Sequence, residues 1–499
     1  MVDSRREPGQ PASGGESAAG PGRPASGRGD RPVIGLEVHA RLRTASKLFC
    51  ACPADADAPA NTRICPVCTG QPGALPGPPN REAIRIALRL ALALGARPAR
   101  RSRWARKAYF YPDLPRGYQI TQHEHPLATG GAVLVEDEHG RLRRIALERI
   151  HVEEDAARIV HPAEPDDVSL LDFNRAGLPL VEIVTRPEID SAELARRTVA
   201  RLRAILRATG VSDARMERGS LRCDANLSLA GRPGARVELK NLNSLRALRR
   251  ALDREAHRLA TGAPGGDPIR QTRGWDDRRG RSYLLRRKEG LAAYRYFDEP
   301  DLPVLEVDDD LLASAGRALP PSPHERAAFW RESLGIAPDR ARVLADEPTL
   351  GAYFDALVRA GAPPGPAADW LLNDGRRFAG PDGLPPVPAA SAARLVRRLA
   401  AGEGPGPALR RAFEHAAGAG EDLDRLLERI PRTADRADES ALAAWCEAVL
   451  ADHPEAVQRF RGGHRGVLEF LVGRVMTLAG GRADPRRVRE ALVERLDRW

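Results

Sequence analysis

The sequence predicts an α+β domain followed by helical domains. From residue 32 to about 305, short strand-like runs alternate with a few amphipathic stretches that have helical spacing. From about residue 306 onward the pattern is helical and is broken by loops rich in proline and glycine. We therefore expect an α+β domain at 32–305, a helical domain at 306–400 and a small helical tail domain at 401–499.

The first 31 residues are rich in glycine, proline, serine and arginine and contain no apolar run. We expect residues 1–31 to form a disordered extension rather than a signal peptide. The chain of 499 residues contains no stretch of about 18 apolar residues, so no transmembrane helix and no membrane partner are expected. These features predict a cytoplasmic protein.

Lysine and arginine together number 78, and aspartate and glutamate number 68, which gives a net charge of +10. A modest basic excess suits a nucleic-acid partner. Many arginine-rich proteins bind no nucleic acid, however, so the charge alone leaves this point open.

Three helices are predicted within the α+β domain. The first spans about 81–95, and the third carries an apolar stripe from Leu245 to Leu259 and ends at Gly262. The second is expected to begin at Asp190, with Glu193 completing a capping box. The apolar stripe of each helix is expected to face the core.

Two predicted strands, at 33–42 and 220–229, alternate apolar and polar side chains. The polar rows consist of Gly35, Glu37, His39 and Arg41 in the first strand and Ser220, Arg222, Asp224, Asn226 and Ser228 in the second. Such rows suit a site built on the surface of a sheet. The alternative is a solvated sheet face.

Two carboxylates fall within apolar rows. Glu154 is in phase with Ile150 and Val152, and Glu182 is in phase with neighbouring leucine and valine residues. A buried carboxylate is costly unless it meets a cation or a donor. Either side chain could instead return to solvent through a bulge.

Together with Glu37, His39 and Asp224, these two carboxylates form a set able to hold Mg²⁺, which prefers carboxylate oxygens, water and substrate phosphates. The sequence has neither GxxxxGK[ST] nor GxGxxG, which disfavours a P-loop or dinucleotide-binding fold. An acidic magnesium cluster would allow ATP to be bound without a glycine-rich loop.

Four of the six cysteines form a cluster that consists of Cys50, Cys52, Cys65 and Cys68. Four thiolates at this spacing predict a structural zinc site, with reduced, metal-free thiols as the alternative. Cys223 and Cys446 are expected to be buried structural thiols.

The segment 106–113 combines cations and aromatic side chains that can neutralise phosphate and stack on a base. Its candidates for contact with ATP are Lys107, Tyr111 and Asp113. An aromatic core strand that ends in a proline turn is the alternative.

The end of the chain is strongly basic. Residues 459–489 contain eight arginines and two acidic residues, Glu469 and Asp484. A basic face on a small helical domain suits contact with RNA phosphates, and a solvated helix face is the competing interpretation.

Several motifs resemble the B subunit family of glutamine-dependent aminoacyl-tRNA amidotransferases. They occur in family order after residue 32 and include IGLEVHARL at 34–42, YFYPDLPRGYQITQ at 109–122, RIHVEEDA at 149–156, NRAGLPLVEIV at 174–184, GVSDARMERGSLRCDANLSL at 210–229, ELKNLNS at 238–244, YRYFDEPDLP at 294–303 and FLVGRVM at 470–476.

The resemblance implies a carbon–nitrogen ligase with glutamine as amido donor. Family members use ATP and Mg²⁺ to phosphorylate the side-chain carboxylate of mischarged Glu-tRNA(Gln) or Asp-tRNA(Asn), and ammonia then displaces phosphate. The implied partners in a heterotrimer are an amidase, which releases ammonia from glutamine, and a small third chain that wraps the other two.

The resemblance also implies a cradle-shaped, mostly antiparallel β domain similar to that of glutamine synthetase, and a tail that recognises the tRNA elbow by shape. The metal-site residues of the family correspond to Glu37, His39, Glu154, Glu182 and Asp224. The chain departs from the family where Ala157-Arg158 replaces Gly-Lys and where Asp298 replaces proline. Arg158 keeps the charge of lysine but not its geometry.

Two other functions are considered. A zinc-containing tRNA-binding adaptor without chemistry would lack a functional acidic cluster. A self-contained ATP-dependent ligase for small molecules would turn over without the amidase and without tRNA.

Overall fold

The structure is a computed structural model. It describes residues 31–161, 168–262, 270–287, 295–317, 319–380, 383–432, 439–479, 483 and 485–498. The predicted disordered extension therefore lies, apart from Arg31, outside the described residues, as does Asp484 of the basic tail.

Most strands lie in the first two thirds of the chain. They are β1 Pro32–Arg41, β2 Arg97–Pro98, β3 Arg101–Ser102, β4 Ala105–Ala108, β5 Tyr118–Thr121, β6 Ala128–Thr129, β7 Ala132–Glu136, β8 Leu142–Glu154, β9 Arg158–Val160, β10 Leu170–Asp172, β11 Pro179–Thr185, β12 Leu221–Leu229, β13 Arg232–Lys240, β14 Gln271–Asp276, β15 Arg281–Arg287, β16 Arg295–Asp298 and β17 Leu305–Glu306.

The helices lie mostly in the second half of the chain. They are α1 Arg81–Ala93, α2 Ala192–Ala208, α3 Leu245–Thr261, α4 Asp309–Gly316, α5 Pro323–Leu334, α6 Pro338–Asp346, α7 Pro348–Arg359, α8 Pro364–Trp370, α9 Ala389–Ala401, α10 Gly406–Ala419, α11 Leu423–Glu428, α12 Glu439–Asp452, α13 Pro454–Arg461, α14 Val467–Leu478 and α15 Pro485–Arg498. A π-helical turn, Leu371–Gly375, follows α8.

Ten strands form one large sheet in the order β15-β14-β13-β12-β1-β11-β8-β6-β2, with β7 also paired to β8. All pairs in it are antiparallel except β13 with β14. The predicted combination of a sheet domain with a helical second half is confirmed, and the sheet is mixed. The cradle shape and the likeness to glutamine synthetase stay predictions.

The alternation predicted for the two polar strands is confirmed. In β1 the side chains of Ile34, Leu36, Val38 and Ala40 are at most 1% exposed, and in β12 every second residue is buried. Because side chains alternate across a strand, the polar rows of both strands must lie on the opposite face of the sheet. That face carries the candidate site.

The apolar face of the sheet is covered by helices. The three helices predicted in the α+β domain are present as α1, α2 and α3, with buried apolar stripes. The predicted cap of α2 is wrong by one residue, because Ser191 rather than Asp190 accepts the hydrogen bond from Leu194 N. Asp190 instead forms an ion pair with Arg143, with its carboxylate oxygen 3.2 Å from a guanidinium nitrogen. Its side chain is therefore engaged elsewhere, and Ser191 caps the helix.

Three clusters of buried apolar side chains lie along the chain. The first runs from Ile34 to Ala315, the second from Ala327 to Leu427 and the third from Leu442 to Leu496. Such clusters do not by themselves define independent folding units. The domain boundaries at 305 and 400 stay predictions. Among the described residues, no helix combines the length and the apolar character that crossing a membrane requires.

Candidate active site

The centre of the polar face is strand β1, which lies between β11 and β12. His39 is paired with Glu182 of β11 and with Arg222 of β12. Glu37 is paired with Asp224 of β12. The register of three strands therefore brings together four of the five residues predicted to bind magnesium.

The fifth predicted residue, Glu154, points elsewhere. Glu182 is paired with His151 of β8, so His151 and, two residues later, Glu153 share the polar face. Glu154 lies on the opposite side, where its carboxylate pairs with Arg116 and accepts a hydrogen bond from Ile120 N at 3.0 Å. Burial raises the pKa of Glu154, and the charge of Arg116 opposes that shift.

A cavity of about 430 Å³ opens on this face. Its size falls within the range of small-molecule sites, about 300–1,000 Å³. Charged and histidine side chains dominate its lining: Glu37, His39, Lys107, Asp113, His123, Arg149, His151, Glu153, Asp155, Arg175, Glu182, Arg222, Asp224, Arg236, Glu238 and Lys240.

The first acidic group of the cavity consists of His39, Glu153 and Glu182, whose ligand atoms lie within 4.8 Å of one another. Nε2 of His39 lies 3.2 Å from a Glu182 oxygen and 3.6 Å from a Glu153 oxygen. Nε2 of His151 lies 3.2 Å from the same Glu182 oxygen.

Charge coupling is strong in this group. Burial lowers the pKa of His39, but the charges of Glu182 and Glu153 outweigh burial and raise it to about 9. Burial raises the pKa of Glu182, but His151 and His39 hold it well below its usual value. Burial also raises the pKa of Glu153, but the hydrogen bond with His151 and the charges of His39 and Lys107 together lower it below its usual value. Both glutamates are thus carboxylates at neutral pH, which is the form that binds a divalent cation.

The second acidic group consists of Glu37, Asp224 and Glu238, also within 4.8 Å of one another. The Lys240 ammonium donates to Asp224 and lies 3.0 Å from a Glu238 oxygen. Asn226 donates to Glu37 at 2.9 Å. Burial and repulsion from Glu182 and Glu238 raise the pKa of Glu37. A cation placed between the two groups would relieve this repulsion.

Another part of the lining is cationic. The Arg222 guanidinium pairs with Asp155, and Nε of Arg175 lies 3.6 Å from a carboxylate oxygen of the same aspartate. Arg175 also donates to the carbonyl oxygens of Ala156 and Ala157, at 2.9 and 2.6 Å. These contacts fix two guanidinium groups at the cavity, where they can bind phosphate oxygens.

Of the three residues predicted to contact ATP, Lys107 and Asp113 line the cavity. Tyr111 is not among the lining residues, and 57% of its surface is exposed. The cavity therefore brings together two of these residues and leaves the tyrosine outside it.

Sequence reasoning missed Glu153, His151, Glu238 and Lys240, all of which line the cavity. A signal for the first two was present, since His151 and Glu153 have the two-residue spacing of a polar row. Glu238 and Lys240 have the same spacing in β13. Glu154 was predicted instead because it is in phase with the apolar residues of β8.

The four clustered cysteines are positioned to hold a metal ion. The sulfur atoms of Cys50, Cys52, Cys65 and Cys68 all lie within 4.8 Å of one another. The fully buried Lys47 places its ammonium 3.4 Å from the Cys68 sulfur. A hydrogen bond between Cys68 and Cys50 is the main cause that lowers the pKa of Cys68 to about 4, and Lys47 lowers it further. Thiolate is the form that binds a metal.

Cys223 and Cys446, predicted to be structural thiols, are both buried. In the tail, Arg459, Arg461, Arg465 and Arg474 are exposed. Arg459 also lines a cavity of about 790 Å³, together with His453, His464 and Phe470 among others. The arginines are therefore available for contact with a polyanion.

The fold and the site define a protein that has a charged cavity on a mixed sheet, a cluster of cysteines able to hold a metal ion and a basic helical tail. The family model described as the GatB/GatE catalytic domain matches residues 32–313, and the model described as the GatB domain matches residues 352–496.

Relatives match over nearly the whole chain. The B subunit of an aspartyl/glutamyl-tRNA(Asn/Gln) amidotransferase from Anaeromyxobacter sp. (strain K) is 42% identical over 93% of this chain and 98% of its own length. Proteins of the same name from Thermosynechococcus vestitus and Thermotoga maritima are 39% and 38% identical, over 93% of this chain and 96% and 99% of their own lengths. The chain belongs to the family of aspartyl/glutamyl-tRNA(Asn/Gln) amidotransferase B subunits.

Proposed function

We propose that this chain activates the side-chain carboxylate of glutamate or aspartate carried by a mischarged tRNA. The activation is a phosphorylation by ATP, and ammonia derived from glutamine then completes the amide. The substrates are Glu-tRNA(Gln), Asp-tRNA(Asn) or both. Family membership supports this assignment, because the relatives are named for amidotransfer on these two tRNAs.

One observation carries the chemical part of the proposal. Two acidic groups, from β1, β8, β11, β12 and β13, meet around a single cavity that also contains fixed guanidinium groups. Carboxylates suit a magnesium ion, and arginines suit phosphate oxygens. A cavity with both sets of side chains is suited to a nucleotide triphosphate and an acidic substrate together.

The carboxylates of Glu153 and Glu182 fit Mg²⁺, with Glu37 and Asp224 beside them, and His39 would become a ligand only on giving up the proton that its raised pKa retains. When bound, the ion would screen phosphate charge and orient the triphosphate. Lys107 and Asp113 are proposed to contact ATP.

The chain's own residues then position the reactants. An oxygen of the aminoacyl carboxylate attacks the γ-phosphorus, the bond to the bridging oxygen breaks and ADP leaves. Arg175 and Arg222 hold phosphate oxygens in line for this displacement. Ammonia next attacks the acyl carbon, phosphate leaves with its bonding electrons and the surplus proton passes to a base, which yields the amide.

Ammonia is proposed to come from a separate amidase, and a small third chain would complete a heterotrimer. The cysteine cluster is proposed to hold structural zinc, since four thiolates in a closed set are typical of such sites. The arginines exposed on the tail are proposed to contact tRNA phosphates.

Reconstitution with the amidase and the small third chain tests the proposal. Each mischarged tRNA is supplied with glutamine and ATP, and ADP and the amidated aminoacyl-tRNA are measured. We expect ADP release that requires the mischarged tRNA. Amidation without ATP consumption would contradict the proposal, and tRNA binding without ADP release would favour a passive adaptor.

A further inference from the structure

An aromatic loop borders the cavity. Tyr109 and Asp113 line the cavity, and between them Phe110 and Tyr111 are 95% and 57% exposed. Burying a phenylalanine side chain is favourable by about 1.5–3 kcal/mol, and an exposed ring does not contribute this free energy. No step of the proposed chemistry uses either exposed ring.

The loop is held in place by its backbone. Leu114 N donates to Tyr111 O and Gly117 N donates to Leu114 O, both at 3.0 Å. Ala157 N donates to Asp113 O at 2.9 Å, and the Leu114 side chain is buried. The exposed rings therefore project from a fixed support.

Gly117 makes room for one of the rings. It has a positive φ of 73°, and a β-carbon there would lie 3.1 Å from Cε1 of Phe110. A larger residue at 117 would push the ring from its position. The backbone of Gly117 thus supports one side of the Phe110 ring and leaves the rest open.

We propose that Phe110, assisted by Tyr111, is a stacking platform for the unpaired base at the 3′ end of the acylated tRNA. This inference rests on the proposed function. The aminoacyl group is esterified to the terminal ribose, so its base must lie within one nucleotide of the cavity. Phe110 adjoins Tyr109, a lining residue, and adjacent Cα atoms are about 3.8 Å apart.

The surroundings of the rings favour a base over a protein partner. Asp113 and Arg116 flank them in the same loop, so the exposed apolar surface within 109–117 is limited to the two aromatic side chains and the neighbouring Pro112. Protein interfaces bury about 800 Å² per partner, whereas base stacking needs a single ring face. RNA single strands are commonly bound by such exposed rings.

The test uses the full-length chain assembled with the amidase and the small third chain. The 3′-terminal adenosine of the tRNA is replaced by 2-aminopurine, whose fluorescence is quenched by stacking. A dye on the tRNA body reports total binding by anisotropy. Phe110→Leu removes the aromatic face and keeps an apolar side chain. Phe329→Leu, at a residue of α5 that is 56% exposed and is not among those lining the cavity, is the matched control.

We expect quenching with the wild type and with Phe329→Leu. With Phe110→Leu we expect most of the quenching to be lost and kcat/KM for the acylated tRNA to fall roughly fivefold or more, as for loss of one stacked base. Quenching unchanged by Phe110→Leu would overturn the inference. So would loss of a partner chain from the variant complex on gel filtration, since a protein would then cover the ring.

The two proposals fail differently. Normal anisotropy without quenching in the wild type would overturn the stacking platform alone. The absence of any tRNA binding by anisotropy would overturn both the platform and the proposed function.

Discussion

His39 and Glu182 face each other across two antiparallel strands, with Nε2 of the histidine 3.2 Å from a carboxylate oxygen. The same oxygen lies 3.2 Å from Nε2 of His151 on the next strand. Glu182 therefore joins three strands on the polar face of the sheet. Its position within an apolar row is explained by the two histidines, which offset the cost of burying its charge.

Glu153→Gln tests the cavity most economically. The change keeps the size of the side chain and removes a carboxylate from the group of His39, Glu153 and Glu182. We expect ATP-dependent ADP release to fall at least about a hundredfold, because a proposed Mg²⁺ ligand is lost, while tRNA affinity stays within about twofold. Glu148→Gln, an exposed position on the same strand, is the control and should retain activity. Normal turnover by the Glu153 variant would contradict the assignment.

Glu154→Gln should affect stability instead. It leaves the largely buried guanidinium of Arg116 without its charge partner, and breaking such a pair costs about 3 kcal/mol. Urea denaturation should show a lower free energy of unfolding, and the folded protein should keep most of its ADP release. A variant of normal stability that has lost ADP release would show that Glu154 acts in the reaction.

Cys68→Ser should remove the metal from the cysteine cluster. Metal analysis is expected to give about one zinc ion per chain for the wild type, since four thiolates complete one tetrahedral site, and almost none for the variant. The midpoint of thermal unfolding should fall as well. Cys223→Ser, at a buried cysteine outside the cluster, should retain the zinc. Equal zinc content in both variants would refute the assignment.

Deletion of residues 433–499 removes the helices of the third apolar cluster and leaves the second cluster intact. Because the exposed tail arginines are lost, we expect tRNA affinity to fall at least about tenfold and its salt dependence to become weaker. ATP binding, measured by calorimetry, should not change. An unaltered affinity for tRNA would show that the tail does not bind it.

The parts of the candidate site that depend on local sequence patterns could be predicted from the sequence. The alternation in β1 and β12 predicted that Glu37, His39 and Asp224 share a polar face, and the cysteine spacing predicted four cysteines positioned to hold a metal ion. The alternation depends only on neighbours along the chain. The cysteine cluster was predictable because four closely spaced cysteines rarely occur together except at a metal site or in disulfides.

The pairing of strands could not be predicted in the same way. Whether Glu153 or Glu154 shares a face with Glu182 depends on the register of β8 with β11, and a shift of one residue exchanges the two. That register arises from contacts distant in sequence. The capping of α2 by Ser191 has a similar cause, because Asp190 pairs with Arg143, a residue 47 positions away.

Transfer of an oxygen isotope tests most directly whether the aminoacyl carboxylate is phosphorylated. Mischarged tRNA carrying ¹⁸O at both oxygens of the side-chain carboxylate is incubated with the assembled enzyme, ATP and glutamine, and the released phosphate is analysed by mass spectrometry. We expect one ¹⁸O atom in each phosphate released with the amide, because one carboxylate oxygen leaves with the phosphate. Amide formation accompanied by unlabelled phosphate would contradict phosphorylation of the carboxylate.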